Sequence, residues 1–323
     1  MDKLKKSRIL VTPTSFGIND ITIKPYLEDK VGEVIYNTSG KPFTSQELIP
    51  LLADIDGIIA GLDDINATAL KHANRLKVIS RYGVGLNNVD LEYAKKKGIS
   101  VTYTPGANSS SVADLTVIFI LLLCRPVCSA SVKTRQGEWP RTSGLGLEGK
   151  TVGLYGFGAI GKEVSKRLAG FGCRVLAYDL MPDKNLAKSL GVRLVNEDDL
   201  LSQSDFFSLH VPVTPSNLNL VNTEFIHRMK KGAYLINTAR GELVDDDALC
   251  TAIQSGYLAG AALDTFKKEP INQDNPLLKL PQVIITPHMA AHTDSAINAM
   301  GWMSMNDCLA VLKGEEPKFP VIK

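Results

Sequence analysis

The chain reads as an α/β protein with two doubly wound parallel sheets, one of them in a dinucleotide-binding domain. Three observations predict this. Its 323 residues exceed the usual size of a single hydrophobic core. Short apolar runs alternate with helix-like segments in two separate series, as they do where parallel strands are covered by helices on both faces. Between a strand-like run and a helical one, "TVGLYGFGAIGKEV" at 151–164 places the spacing G-x-G-x-x-G.

In the first series "RILVTPTSF", "EVIYNT", "DGIIAG", "LKVISRYG" and "ISVTYTP" read as strands. "TSQELIPLLADI" and "NATALKHAN" have helical spacing, with Ser or Asn near their starts. Residues 109–130, "SSSVADLTVIFILLLCRPVCSA", predict one long helix, capped by serines and broken at Pro126, that bridges the two domains. A loop rich in glycine and charge follows, with Trp139 placed for local packing or a subunit contact. The second series reads "TVGLYG", "CRVLAYD", "VRLV", "DFFSLH", "AYLINT", "GAALD" and "VIIT". A helix over about 294–313 and a short polar tail remain, too little for a third domain.

Composition excludes several classes of function. Lys plus Arg number 36 against 34 Asp plus Glu, and no basic stripe offers itself to nucleic acid or a membrane surface. The N-terminal apolar run is too short for a secretion signal, and "VIFILLLC" is too short for a membrane span. Cys124, Cys128, Cys173, Cys250 and Cys308 show no paired metal spacing, which points to a reducing compartment, the cytoplasm.

The glycines carry the first chemical reading. Gly156 permits the tight turn, Gly158 lets a diphosphate approach the backbone, and Gly161 lets helix and strand pack, while Ala159 and Ile160 open the helix whose N-terminus favours an anion. Asp179 ends the next strand, where a carboxylate accepts hydrogen bonds from a ribose and repels a 2′-phosphate, so NAD is favoured over NADP. His210 ends "DFFSLH", Arg240 follows "AYLINT", Asp264 ends "GAALD", and His288 follows "VIIT" after one proline. Parallel strands bring all four to one sheet edge, where ligands bind in open α/β sheets.

Hydride transfer to a carbonyl needs an acid for its oxygen and a cation to hold the substrate. Histidine supplies the proton near neutrality, a neighbouring carboxylate favours its charged form, and Glu269 in "TFKKEP" is the candidate neighbour. Arg240 offers a planar fork matched to a carboxylate, pointing to a 2-oxo or 2-hydroxy acid. His72, His227 and His292 gain no role from spacing, and no metal is expected.

Several blocks in order, "SRYGVGLNNVDL", "TPGANSSSVADLT", "GFGAIGKEV", "HVPVTP", "NTARGELVDDDAL", "GAALDTFKKEP" and "TPHMAAHT", resemble the D-isomer-specific 2-hydroxyacid dehydrogenases, in particular the D-3-phosphoglycerate dehydrogenase-like branch. The resemblance implies Arg240, Glu269 and His288 as the catalytic set. It implies that Asp264 holds the nicotinamide carboxamide and that Val211, Thr238 and Ala239, with His210 and Pro212 beside them, line the cofactor. Backbone amides at Gly83, Val84 and Gly85 would meet the substrate carboxylate, with Asn108 beside the cleft. It also implies a discontinuous flavodoxin-like substrate domain, residues 1–103 and 291–323, around a Rossmann NAD-binding domain at 104–290. Two crossings then make a hinge, closure excludes water, and homodimers form through the nucleotide domain by the long helix and the Trp139 arm.

The expected function is hydride transfer between NAD and a small D-2-hydroxy acid, 3-phosphoglycerate included. The alternative is an NAD(H)-sensing binding protein of the corepressor type. Two departures bear on the substrate: Ala60, Gly61 and Leu62 stand where phosphoglycerate-specific relatives place an arginine, and the regulatory extension of some relatives is expected to be absent. Asn87, where relatives often have aspartate, has no physical account.

Overall fold

In the computed structural model, which describes residues 3–322, the two alternating series form two separate sheets. The chain divides into two units: one takes the residues through Asn108 together with those from His292 onward, the other takes Ser109–Ala291.

The first unit opens with β1 (Arg8–Val11), α1 (Ile23–Lys30), β2 (Glu33–Tyr36), α2 (Ser45–Leu52), β3 (Gly57–Ala60), α3 (Ala67–Lys71), β4 (Val78–Arg81), α4 (Leu91–Lys96) and β5 (Ser100–Thr102). The second unit holds α5 (Ser109–Cys124), α6 (Val127–Arg135), β6 (Thr151–Tyr155), α7 (Ala159–Leu168), β7 (Arg174–Tyr178), α8 (Lys184–Ser189), β8 (Arg193–Leu194) and α9 (Glu197–Gln203). It continues with β9 (Phe206–Leu209), α10 (Thr223–Arg228), β10 (Tyr234–Asn237), α11 (Asp246–Gln254), β11 (Gly260–Leu263) and β12 (Val283–Ile285). The chain then returns to the first unit with α12 (Asp294–Lys313) and β13 (Pro320–Ile322).

The two strand orders differ. The first sheet runs β2-β1-β3-β4-β5-β13, flavodoxin-like and parallel except for β13, which pairs antiparallel with β5. The second runs β8-β7-β6-β9-β10-β11-β12, parallel throughout, with the Rossmann order over its first six strands. Central strands β3, β4, β9 and β11 are buried along their whole length, as expected of strands covered on both faces. Strand order reverses between β1 and β3 in the first sheet and between β6 and β9 in the second, which defines a switch point in each.

Local chemistry explains several boundaries. Helix α2 is capped by Thr44, in a capping box with Glu47, rather than by Ser45. The predicted helix over 109–130 is two helices bent by 67°, because Pro126 lacks the N–H that would continue the first. No single helix among the described residues is long and apolar enough to cross a membrane, and the apolar run of α5 packs Val117, Phe119 and Ile120 into the second unit's core.

Neither α1 nor α4 was read from the sequence; α1 carries Pro25 in its first turn and has no side-chain cap. Residues 104–108 stay with the first unit, past the sequence boundary at 103, where the Tyr103 amide donates to Phe319 and the Thr104 amide to Gly83. The tail is also more than a polar remainder. Buried Asp307 accepts the amides of Lys318 and Phe319 at 2.8 and 2.9 Å, which steers β13 onto β5.

Candidate active site

The glycine turn lies at the switch point of the second sheet, where β6 ends beside β9. Gly156 has φ of +110°, and a Cβ there would stand 2.5 Å from the His210 carbonyl oxygen. At Gly161 a Cβ would stand 2.3 Å from the Gly156 oxygen, so α7 lies tight against the turn. Gly158 is different: a Cβ would meet nothing within 4 Å, and no side chain caps α7. Open space thus faces the unsatisfied N–H groups and positive end of a helix, and the residues fit a dinucleotide diphosphate. Half-exposed Asp179 braces this turn, accepting the Phe157 amide at 2.7 Å and the Met181 amide at 2.8 Å.

His210 sits at the same switch point, and its position differs from the solvated strand end that the sequence allows. Both ring nitrogens are buried without a hydrogen-bond partner, and burial pushes the imidazole down to about 3. It is therefore neutral around pH 7. Val211 and Pro212 follow it, half-buried and exposed.

The end of β10 and the loops after β11 and β12 bring the remaining polar groups together. His288 Nδ1 lies 2.6 Å from Glu269 Oε2, and because an ionised carboxylate only accepts, Nδ1 carries the proton. Glu269 Oε1 accepts the Phe266 amide at 2.9 Å, fixing the carboxylate plane. Burial raises the Glu269 carboxyl, but the His288 hydrogen bond and charge, the Phe266 amide and the Arg240 charge together hold it below its ordinary value. The two side chains are 31% and 24% exposed, so solutes reach both. With Nδ1 engaged, Nε2 is the ring atom left to exchange a proton.

Arg240 follows β10 and enters a single 3-10 turn at Gly241–Leu243. Its Nη1 donates to the Ala239 carbonyl at 2.6 Å. Burial lowers its pKa, while the charges of Glu242 and Glu269 raise it. A guanidinium keeps its charge through shifts of this kind. Two neighbours that sequence reasoning missed set its position. Buried Asn237 donates to the Arg240 carbonyl at 2.8 Å and accepts the Ala239 amide at 3.0 Å, shaping the turn that contains Thr238. At Gly241 a Cβ would lie 2.0 Å from the Phe266 carbonyl carbon, so the arginine's backbone rests on the segment leading to Glu269.

Asp264 does something the sequence did not suggest. Its carboxylate is fully buried: Oδ1 accepts the Thr286 hydroxyl and, at 2.9 Å, the Met289 amide, while Oδ2 accepts the Ala290 amide at 2.8 Å. It therefore orders the turn that carries His288 and presents no surface to a carboxamide in this conformation. Thr238 is buried and shares a 3.0 Å hydroxyl contact with Thr116 of α5. In the first unit Gly83 has φ of +151° with open space at its Cβ, Val84 is exposed, and Gly85 accepts the Arg81 Nε at 3.0 Å. Asn108 Oδ1 is buried there without a partner.

A Rossmann sheet whose switch point offers an open diphosphate cradle, with an imidazole, a carboxylate and a guanidinium beyond its strand ends, defines a nicotinamide-dependent oxidoreductase. The sequence profile described as "D-isomer specific 2-hydroxyacid dehydrogenase, NAD binding domain" matches residues 117–290. A glyoxylate reductase of Thermofilum pendens is 39% identical over 292 residues, 88% of this chain and 86% of its own length. A D-3-phosphoglycerate dehydrogenase of Methanocaldococcus jannaschii is 40% identical over 291 residues, 89% of this chain but 55% of the relative, so the chain spans about half of that protein. The solved D-lactate dehydrogenase of Aquifex aeolicus, complexed with NAD and lactic acid, superposes with a TM-score of 0.85 at 32% identity, covering 98% of this chain and 99% of that one. The chain belongs to the D-isomer-specific 2-hydroxyacid dehydrogenase family and is an NAD-dependent oxidoreductase acting on CH–OH groups.

Proposed function

We propose that the enzyme interconverts a short, unphosphorylated 2-oxo acid such as pyruvate and its D-2-hydroxy acid, or glyoxylate and its achiral 2-hydroxy acid. The observation that carries the reading is the His288–Glu269 pair with the Arg240 guanidinium close enough to depress the Glu269 carboxyl. Bound nicotinamide supplies or accepts the hydride. In the reductive direction His288 gives its Nε2 proton to the carbonyl oxygen as negative charge grows there. Glu269 holds the imidazole by Nδ1 and offsets its charge, and Arg240 binds the substrate carboxylate with its fork and polarises the carbonyl. Gly83, Val84, Gly85 and Asn108 are proposed as substrate contacts, and Asp179, Val211, Pro212, Thr238 and Ala239 as cofactor contacts.

The choice of an unphosphorylated acid rests on the end of β3. Ala60 is buried, Gly61 has no side chain, and exposed Leu62 is apolar, so none of these three positions supplies the arginine that phosphoglycerate-specific relatives are expected to place there, and the nearby Arg81 is engaged with the Ala60 and Gly61 carbonyls. NADH oxidation measured with glyoxylate, pyruvate, hydroxypyruvate and phosphohydroxypyruvate tests this; highest kcat/KM for the phosphorylated acid ends the proposal. The same reading includes a homodimer through the second unit, supported by α6, which buries none of its residues, and by exposed Ile118, Val127, Val132 and Trp139. Sedimentation of wild type against Trp139→Ala, with a monomer expected for the variant at low concentration, checks it.

A further inference from the structure

We infer that Ser111 is a positioning residue for His288, acting through the carbonyl of Ala290; this rests on the proposed role of His288 as the acid. His288 has φ of +52°, a left-handed backbone that strains a histidine and persists only where neighbours over-determine it. Four side-chain contacts do so here. Asp264 takes the Thr286 hydroxyl and the Met289 and Ala290 amides on one side of the turn. On the other, the Ser111 hydroxyl donates to the Ala290 carbonyl at 2.5 Å, and Ser111 is 4% exposed.

The Ser111 bond alone comes from outside the β11–β12 segment. A serine in the first turn of a helix ordinarily satisfies that helix's own amides. Of its neighbours, Ser110 accepts Arg167 Nη2 at 2.6 Å, whereas Ser111 spends its single proton on a residue far along the chain. Without that bond the peptide after Ala290, whose carbonyl Ser111 holds, is released, the turn is left on the Asp264 contacts alone, and the ring leaves the position in which Glu269 holds it.

The test is a kinetic comparison of wild type, Ser111→Ala, His288→Ala and the double variant, with NADH affinity measured by fluorescence titration. Ser111→Ala is expected to lower kcat by about 10- to 100-fold, the cost of roughly an ångström of misplacement, with KM for NADH unchanged. It is expected to add no further loss in the His288→Ala background. Wild-type kcat in Ser111→Ala, or an equal loss in both backgrounds, overturns the inference. If His288→Ala itself keeps its turnover, the functional reading fails instead. Should Ser111→Ala melt below assay temperature, Ser111→Cys keeps the volume with a weak donor: an intermediate kcat supports the inference, and full turnover overturns it.

Discussion

The two switch points have the same kind of strand reversal and opposite contents. In the second unit the reversal between β6 and β9 holds a glycine turn, an uncapped helix start and a histidine whose ring nitrogens are buried without partners. In the first, the reversal between β1 and β3 is filled by its own polar groups. Buried Asp63 accepts the Thr12 hydroxyl, the Gly61 amide at 3.0 Å and the Phe43 amide at 2.8 Å. Arg81 Nη1 donates to the Ala60 and Gly61 carbonyls, and Asn88 Nδ2 donates to Gly61 at 3.2 Å. Topology therefore provides a crevice in both sheets, and side-chain bookkeeping decides which crevice stays open for a ligand. Charge that the backbone consumes stabilises the fold; charge left near solvent serves chemistry.

The sharpest way to break this contrast is kinetic. His288→Ala is expected to lose about 10²- to 10⁴-fold in kcat while NADH binding and the melting temperature hold, and Arg240→Lys to lose about 10²-fold because the fork is gone. A melting temperature that collapses in either variant would place these residues with the fold. Asp63→Ala should do the reverse: about 3 kcal/mol of stability lost, read from the urea midpoint, because three donors lose their acceptor in a buried site.

The pH dependence sharpens the picture of the second crevice. His210 titrates at about 3 when folded and near its ordinary value of 6.5 when unfolded, so between these the unfolded chain binds the extra proton. Stability should therefore fall as pH drops from about 6.5 toward 3, by on the order of a few kcal/mol, and His210→Gln should flatten that slope. An unchanged slope in thermal melts across this window would mean that the imidazole is not isolated. The smallest effect is expected in the first crevice. At Gly61 a Cβ meets only ordinary contacts, 3.4 Å from Pro13 and 3.5 Å from Asp63, so Gly61→Arg should fold. Its preference for phosphohydroxypyruvate over hydroxypyruvate should rise by about tenfold.

Much of this was legible in the sequence because the informative pattern was local. Buried parallel strands appear as apolar runs, and all but β13 were read, even β8, which pairs over only two residues. The glycine turn shows in its spacing, and Arg240, Glu269 and His288 follow recognisable runs at strand ends. What stayed hidden was settled by partners distant in the chain. Strand β13 is placed by Asp307, which accepts the amides of Lys318 and Phe319 from eleven and twelve residues away. Asp264, at the end of a strand, looked like a residue facing the cofactor until its three donors were known. Ser111 looked like one of three capping serines, because nothing near it in sequence reveals the carbonyl it meets.

The Ser111–Ala290 bond joins the first helix of the second unit to its last residues, within the span Ser109–Ala291. Entry and exit of the inserted unit are thereby held side by side, as one domain interrupting another requires. The elements of the second unit all lie before the return segment, so that unit holds its own sheet without it. Once folded, it shortens a very long loop to a small gap, so that α12 and β13 reach the waiting first sheet at far lower entropic cost. Until then β3, β4 and β5 lack the helix that packs on them in the finished fold, and their apolar side chains there stay open to solvent.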